Sequence, residues 1–415
     1  MTTDTQHIPS GYKLSSLGII PEDWEVKRIG DFGKVITGNT PPTEDTDNYG
    51  DVYKFVSPAD ISGNKYIEAT EKHLSEKGFS ISRQMPKGTV LFTCIGSTIG
   101  KCAIANEALT SNQQINAIIC DSKHSGEFLY YELCHRSNRI KQIAGEQAVP
   151  IINKATFESY KVLCPPFEEQ KNIAEILSLW DTAIAKQSAL IEQLILRKRG
   201  LMQQLLTGKK RLKGFEGEWK EVRLGEIGVF FKGGGVPKDK ITDTGNKCLT
   251  YGDLYTKYDF VISGVKSYID DHTANESVKI LYGDICFAGS GETKEDIGKC
   301  AAFIDNEFGY AGGDIIVFRA TDYNPITLSY ILNSNDVIRQ KSNMGQGHSV
   351  VHIYPYQLEK LMIKLPSRAE QDAIATILIE SDKEIEIQKQ KLAAMQEQKK
   401  GLMQVLLTGK RRVTI

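Results

Sequence analysis

The chain has 415 residues, with 51 Lys and Arg against 52 Asp and Glu and a formal net charge of −1. That length holds two or three domains with cores of their own, and 40% hydrophobic with 25% charged residues excludes a fibrous or disordered chain. The near-neutral charge gives no argument for nucleic acid, so only local clusters of basic residues bear on that question.

Residues 1–20, beginning MTTDTQHIPSGYKL, are polar and are expected to be a loosely held tail. They lack the basic-then-apolar pattern of an export signal, and no apolar run approaches a membrane span. The eight cysteines, Cys94, Cys102, Cys120, Cys134, Cys164, Cys248, Cys286 and Cys300, form no C-x-x-C pair. Several lie in apolar runs and read as buried free thiols of a reducing compartment. A cytoplasmic location is the expectation.

A first globular region, 21–163, opens from Trp24 as WEVKRIGDFG. Short β-branched and aromatic runs (52–56, 89–94, 115–120) and a helical run (127–137) follow, separated by Gly, Asn and Asp turns. A long helical stretch occupies 164–212. The opening then recurs from Trp219 as WKEVRLGEIG, at the head of a second globular region, 213–364. Ile99-Gly-Lys-Cys-Ala returns as Ile297-Gly-Lys-Cys-Ala, and Gly88-Thr-Val-Leu-Phe faces Gly283-Asp-Ile-Cys-Phe. A second helical stretch, 365–409, and a basic tail, 410–415, close the chain. The expected fold is mixed α/β, irregular and β-rich, and present twice. Shared frames around unlike interiors suit one scaffold adapted to two ligands.

The helical stretches repeat most clearly. Residues 165–211 and 366–412 align at a constant offset of 201 without a gap, and 21 of 47 positions are identical. In the first copy Ile173, Leu177, Trp180, Ile184, Gln187, Ile191, Leu194, Lys198, Leu201 and Leu205 follow strict four-three spacing. In the second, Ile374, Leu378, Ser381, Ile385, Gln388, Leu392, Met395, Lys399, Leu402 and Leu406 do the same. This is a coiled-coil seam, in which the matched polar residues fix register at some cost in stability. Pro165 and Pro366 suit a first helical turn, and Gly208 and Gly409 the residue beyond the last. Each helix leaves a half-apolar face that the other most simply covers, giving two long helices paired antiparallel in a pseudo-twofold repeat. Basic clusters end the copies at Arg197-Lys198-Arg199, at Lys209-Lys210-Arg211 with Lys213, and at Lys410-Arg411-Arg412. They suit either a polyanion or the negative end of a helix dipole.

Catalytic motifs fail on inspection. Cys164-Pro165-Pro166-Phe167 looks like an amino-methyltransferase tetrad but has Cys where an amide or carboxylate acceptor is required. The second copy reads Lys364-Leu365-Pro366-Ser367. The glycine-rich segments 232–238 and 288–294 do not fit the phosphate-loop pattern. His348 and His352 have zinc-helix spacing without the required Glu, in a β-branched setting. No catalytic residue and no metal ligand is assigned.

The duplicated Pro-x-x-x-Glu-Gln-x-x-Ile-Ala-x-Ile-Leu, the Leu-Met-Gln-x-Leu-Leu-Thr-Gly-Lys ending, the Trp-x-x-x-Arg opening and Ser111-Asn-Gln-Gln-Ile resemble the specificity subunits of type I restriction–modification systems over nearly the whole chain. The resemblance implies a non-catalytic subunit with two target recognition domains, 21–163 and 213–364, and two conserved helices forming an antiparallel coiled coil. It implies double-stranded DNA as ligand, two modification (methyltransferase) subunits docked on the chain, and restriction (translocase–nuclease) subunits joined through them. S-adenosylmethionine would belong to the modification subunits, ATP and magnesium to the restriction subunits, and no cofactor to this chain. The alternatives are a specificity subunit of a type II-like methylase–nuclease system, or a coiled-coil scaffold that binds no DNA.

Two similar domains in pseudo-twofold relation suit a bipartite target, each domain reading one half in the major groove, where all four base pairs differ. Candidate DNA-binding residues of the first domain are the loop residues Thr37, Asn39, Ser57, Asp60, Ser97, Thr98, Lys101, Gln113 and Gln114. Those of the second are Lys238, Lys240, Tyr251, Asp253, Ser290, Lys294, Lys299, Gln346 and His348.

Overall fold

The structure, a computed structural model, describes residues 8–145, 149–234, 236, 238–347 and 350–413. It divides into two compact units, 1–188 with 390–415, and 189–389. Both divisions fall inside a long helix. The helices run Phe167–Leu205 and Arg368–Leu406, 39 residues each, and each unit combines one globular region with part of both.

The first unit is framed by its opening strand, Glu25–Arg28, which pairs antiparallel with Lys161–Cys164 just before the first long helix. Inside that frame an antiparallel sheet runs in the order Gly33–Thr37, Ile115–Cys120, Val90–Thr93, Cys102–Ile104. A smaller sheet contains Tyr53–Val56 paired parallel with Thr110–Ser111. The helix Gly126–Gln142 buries Phe128, Leu129, Tyr131 and Leu133 in a core that also takes Trp24, Phe92, Phe157, Ile173, Leu177, Leu406 and Leu407. The ends of both long helices are therefore part of this core.

The second unit repeats the plan. Lys220–Arg223 pairs antiparallel with Met362–Leu365. The sheet runs Gly228–Lys232, Ile315–Ala320, Ile285–Ala288, Cys300–Phe303, with Val261–Ile262 added in parallel at the edge. Asn246–Leu249 pairs parallel with Gly309–Ala311, as Tyr53–Val56 does with its partner. Leu205 at the end of the first long helix, Leu206 just beyond it, and Ile374 and Leu378 of the second helix enter this core.

Within each unit the helix segments pair antiparallel. In the first, moving from Glu169 to Asp181 on one helix moves the partner from Arg412 back to Lys399. In the second, moving from Lys198 to Arg211 moves the partner from Asp382 back to Glu370. Every seam position named from the sequence is buried or half-buried, with Ile173, Leu177, Leu378 and Ile374 at 1% exposure or less. Ser381, equivalent to Trp180, is buried and donates its hydroxyl to Ile377 O at 2.9 Å, which satisfies it within its own helix. The seam lysines are not bare interruptions. Lys399 pairs with Asp181, which accepts the Tyr131 hydroxyl at 2.5 Å; Lys198 pairs with Asp382, which accepts the Tyr330 hydroxyl. The same cation–carboxylate–phenol group thus ties helix to helix and helix to domain in both units.

Three expectations change. The start is not loose over its described part: Tyr12–Ser15 and Gly18–Pro21 form a hairpin, Ile20 is buried, and the Tyr12 hydroxyl donates to Gly409 O at 3.0 Å. Pro165 and Pro366 lie ahead of the helices, not in their first turns. Their carbonyls accept the Gln170 and Gln371 side-chain amides at 2.9 and 3.0 Å. The same two glutamines accept the backbone N–H of Ser125 and Asn324, the caps of each domain's helix. Four of the ten clustered basic residues are used within the fold: Arg197 pairs with Glu384, Lys198 with Asp382, Arg211 with Glu370, and Arg412 with Glu169 and Asp23. Six cysteines are buried and Cys120 and Cys134 half-buried, all as free thiols. Burial pushes the Cys94 thiol up to about 12.

Candidate nucleic-acid interface

In each unit the central sheet ends in the same four loops, and backbone contacts hold them together. In the first domain the loop after Gly33–Thr37 meets the loop before Ile115–Cys120: Gly38 N–H donates to Ile115 O at 3.0 Å. A Cβ on Gly38 would lie 2.2 Å from Asn112 O, so only glycine permits this approach. The loop after Val90–Thr93 joins them, with Cys94 N–H on Gln114 O at 2.8 Å and Gly96 N–H on Pro150 O at 2.9 Å. Residues 149–152 are the fourth member, through a bridge between Ile95 and Ile151.

The second domain assembles the equivalent set. Gly233 N–H donates to Ile315 O at 2.7 Å, and a Cβ there would lie 2.4 Å from Gly312 O. Gly289 N–H reaches Asp314 O at 2.6 Å, and Ser290–Gly291 pairs antiparallel with Val351–His352. The repeated glycine at each strand exit is the local cause of the clustering, because any side chain would separate the first loop from the third.

The polar residues predicted from the sequence divide between this cluster and the frame. Thr37 donates its hydroxyl to Asn116 Oδ1 at 2.6 Å, while Asn39 Oδ1 accepts from Arg83 N–H at 2.7 Å. Gln113 accepts from the Thr40 hydroxyl at 2.8 Å, and Gln114 from the Asn112 amide at 2.9 Å. Ser97 and Thr98 lie in the second loop, Ser97 exposed and Thr98 half-buried. In the second domain Ser290 is buried and shares a hydrogen bond of 2.9 Å with His352 Nδ1; Lys294 and Gln346 are exposed. Lys240 is exposed at the end of the turn Lys238–Lys240. His348 and the side chain of Lys238 lie outside the described residues.

Six of the predicted residues lie in turns, cross-links and a short helix of the frame. Ser57 donates both N–H and hydroxyl to Asp60 Oδ2 at 2.7 Å, and Thr250 does the same to Asp253 Oδ2 at 3.0 and 2.9 Å. Burial raises the Asp253 carboxyl, but hydrogen bonds from Lys257 and Thr250 outweigh it, and the group stays below the usual range. Lys101 donates inward to Pro58 O at 3.1 Å, and Lys299 stands 3.8 Å from Asp259. Tyr251, 42% exposed, lies in the first turn of Tyr251–Thr256. Sequence reasoning missed Thr40, Arg83 and Asn112 in the first domain and Lys232, His352 and Tyr354 in the second. Arg83 belongs to the cluster through its guanidinium, which donates to Thr37 O at 2.7 Å. Nothing near it in sequence points there.

Two unlike sets of polar loops on copies of one sheet define a duplicated recognition protein. The family model for the type I restriction modification DNA specificity domain matches twice, over residues 21–195 and 216–397, and the chain belongs to that family. It is 27% identical over 416 residues to the MjaVIII specificity subunit of a type I restriction enzyme from Methanocaldococcus jannaschii, covering 95% of this chain and 94% of that one. A type I restriction–modification S subunit from M. genitalium has the same fold, with a TM-score of 0.55 and 16% identity over 94% of this chain and 97% of the other. A chain from a structure of the type I restriction–modification system scores 0.61, also at 16% identity, over 94% of this chain and 99% of that one. Among the described residues no helix is long and apolar enough to cross a membrane.

Proposed function

We propose that this chain is the non-catalytic DNA-specificity subunit of a cytoplasmic type I restriction–modification complex, each loop cluster reading one half of a bipartite duplex target in the major groove. The observation that carries the reading is the repeat of one loop scaffold with different polar residues: Asn112, Gln113 and Gln114 in one domain stand where Gly312, Gly313 and Asp314 stand in the other. Amides and hydroxyls at groove level suit base edges, whose donor and acceptor patterns differ in all four pairs. The readers favoured by the geometry are Asn39, Ser97, Thr98, Gln113 and Gln114 in the first domain, and Lys294 and Gln346 in the second. Asp60, Asp253 and Lys101 are positioning residues on this reading.

The repeated face of the long helices is the proposed dock for two methyltransferase subunits, which would carry S-adenosylmethionine; restriction subunits with ATP and magnesium would join through them. Supporting this, Arg199, Met202, Leu206 and Lys209 line a groove of about 940 Å³ with Val337 and Lys364 in the second unit. The helix ends, 200–209 and 401–410, differ at a single position, and a surface so repeated suits one partner bound twice. The experiment is base-methylation mapping in cells carrying this chain with its modification subunit. A two-part methylated sequence is expected, absent when this chain is deleted. Unchanged methylation on deletion would refute the assignment.

A further inference from the structure

The second domain carries a feature that the shared frame does not explain. His352, Tyr354 and Tyr356 alternate with Ile353 and Pro355, and their rings form a ladder. Centroids of His352 and Tyr354 are 6.5 Å apart with planes 27° apart; those of Tyr354 and Tyr356 are 6.0 Å apart and 10° from parallel. The strand Val351–His352 is followed by the short helix Pro355–Leu358, which carries Tyr356, and this path sends Ile353 into the core at 2% exposure while Tyr356 remains 51% exposed. The Lys232 ammonium lies 5.9 Å from the Tyr354 ring centroid and that of Lys360 5.7 Å from the Tyr356 centroid. Neither lysine has a carboxylate partner among the described residues. Glu359, next to Lys360 in sequence, packs instead over Gly225.

Aligned through Phe157-Glu158 and Leu358-Glu359, the first domain has Ile151, Asn153 and Ala155 at these three positions. Packing does not require the ladder either, since Gln357 and Leu358 fill the interior of that turn. The ladder adjoins the reading loops through the Ser290–His352 hydrogen bond and the bridge between Gln346 and His352. Flat π faces beside unpaired cations match a base with its phosphate. In a paired duplex those base faces are covered by their neighbours, so rings of this kind meet them only where a strand is unpaired.

We propose that His352, Tyr354 and Tyr356, with Lys232 and Lys360, form a stacking site for unpaired nucleotides of a DNA strand, present in the second domain and not in the first. The proposal rests on the second domain being a DNA-reading domain. Its test is fluorescence anisotropy of a labelled twelve-nucleotide oligo-dT with the full chain, its Tyr354→Phe/Tyr356→Phe variant, its Tyr354→Leu/Tyr356→Leu variant and the single Tyr356→Leu. Wild type and the Phe variant are expected to bind alike. The double Leu variant should bind about tenfold more weakly or worse, since each ring lost removes a stacking partner. If the double Leu variant does not fold, the single Tyr356→Leu decides the matter, because that ring is half-exposed, and a severalfold loss is expected. Equal binding by the Leu variants, equal loss in the Phe variant, or no strand binding by wild type would overturn the proposal. Target methylation by the assembled complex reports on half-site reading separately, so a two-part methylome together with absent strand binding would reject the ladder alone.

Discussion

The guanidinium of Arg412 grips the carboxylate of Glu169 with two hydrogen bonds, 2.8 and 2.9 Å, across 243 residues of sequence. The indole N–H of Trp24 donates to the same carboxylate at 2.9 Å, and Arg412 also reaches Asp23. The first residues of the first globular region, the start of one long helix and the tail after the other therefore meet at one buried acid. Arg211 on Glu370 is the counterpart in the second unit, where the Trp219 indole N–H has no hydrogen-bond partner among the described residues.

Glu169 is 2% exposed, so removing its cation strands a buried charge, which costs about 3 kcal/mol in such settings. Arg412→Met is therefore expected to lower the melting transition of the first unit and spare the second. Two-transition calorimetry or hydrogen exchange resolved by peptide checks this; loss spread equally over both units would contradict the assignment.

Gly208 and Gly409 close the long helices with φ of +68° and +69°. Alanine at either position meets a left-handed backbone that costs about 1 kcal/mol. At Gly409 the new Cβ would also lie 2.5 Å from Pro21 Cδ, whereas at Gly208 the nearest atom is a Trp219 ring carbon at 3.5 Å. Gly409→Ala is expected to destabilise by about 1 kcal/mol or more beyond Gly208→Ala. Equal effects in urea unfolding would show that the hairpin contact has no weight.

The helices and their seam were legible because they rest on local periodicity and an exact offset. The strand at 115–120 and the helix over 127–137 lie where their residue types placed them, with the helix longer at both ends. What sequence could not show were pairings across two hundred residues. Lys399 reads as a flaw in the seam until Asp181 is beside it, and Arg412 reads as a polyanion contact until Glu169 is beside it. The N-terminal hairpin was hidden for the same reason: its polar residues signal a tail, while Ile20 and Tyr12 find their partners at the far end of the chain. The candidate readers could be picked as polar loop residues, but the loops that Gly38 and Gly233 draw together were not visible.

Asp181 and Lys399 are expected to specify antiparallel register. Lys399→Glu should place two carboxylates together and cost about 1–2 kcal/mol, and adding Asp181→Lys should recover part of it. A double-mutant cycle on thermal unfolding measures the coupling. Additive losses would mean that the pair has no role in register.

Lys341 is 1% exposed, and its Nζ donates to Gly298 O at 2.7 Å, with no carboxylate paired to it among the described residues. Burial pushes its pKa below the ordinary 10.5. The unfolded chain thus holds more protons between the folded pKa and 10.5. This contribution to stability is fully present above 10.5 and is lost as pH falls toward the folded value. Lys341→Met is expected to remove that slope and to stabilise the second unit at neutral pH by about 1 kcal/mol. Melting curves between pH 7 and about 10 check both; an unchanged slope would contradict a pKa lowered by burial.

Independent reading by two domains on one repeated frame is the central claim. It is tested most directly by replacing residues 34–155, which lie between the opening and closing strands of the first domain, with the matching segment of another specificity subunit. Genome-wide methylation mapping of cells carrying the chimera with the modification subunit gives the readout. One half of the methylated target is expected to change while the other half stays as it was. Alteration of both halves, or of neither, would contradict the account.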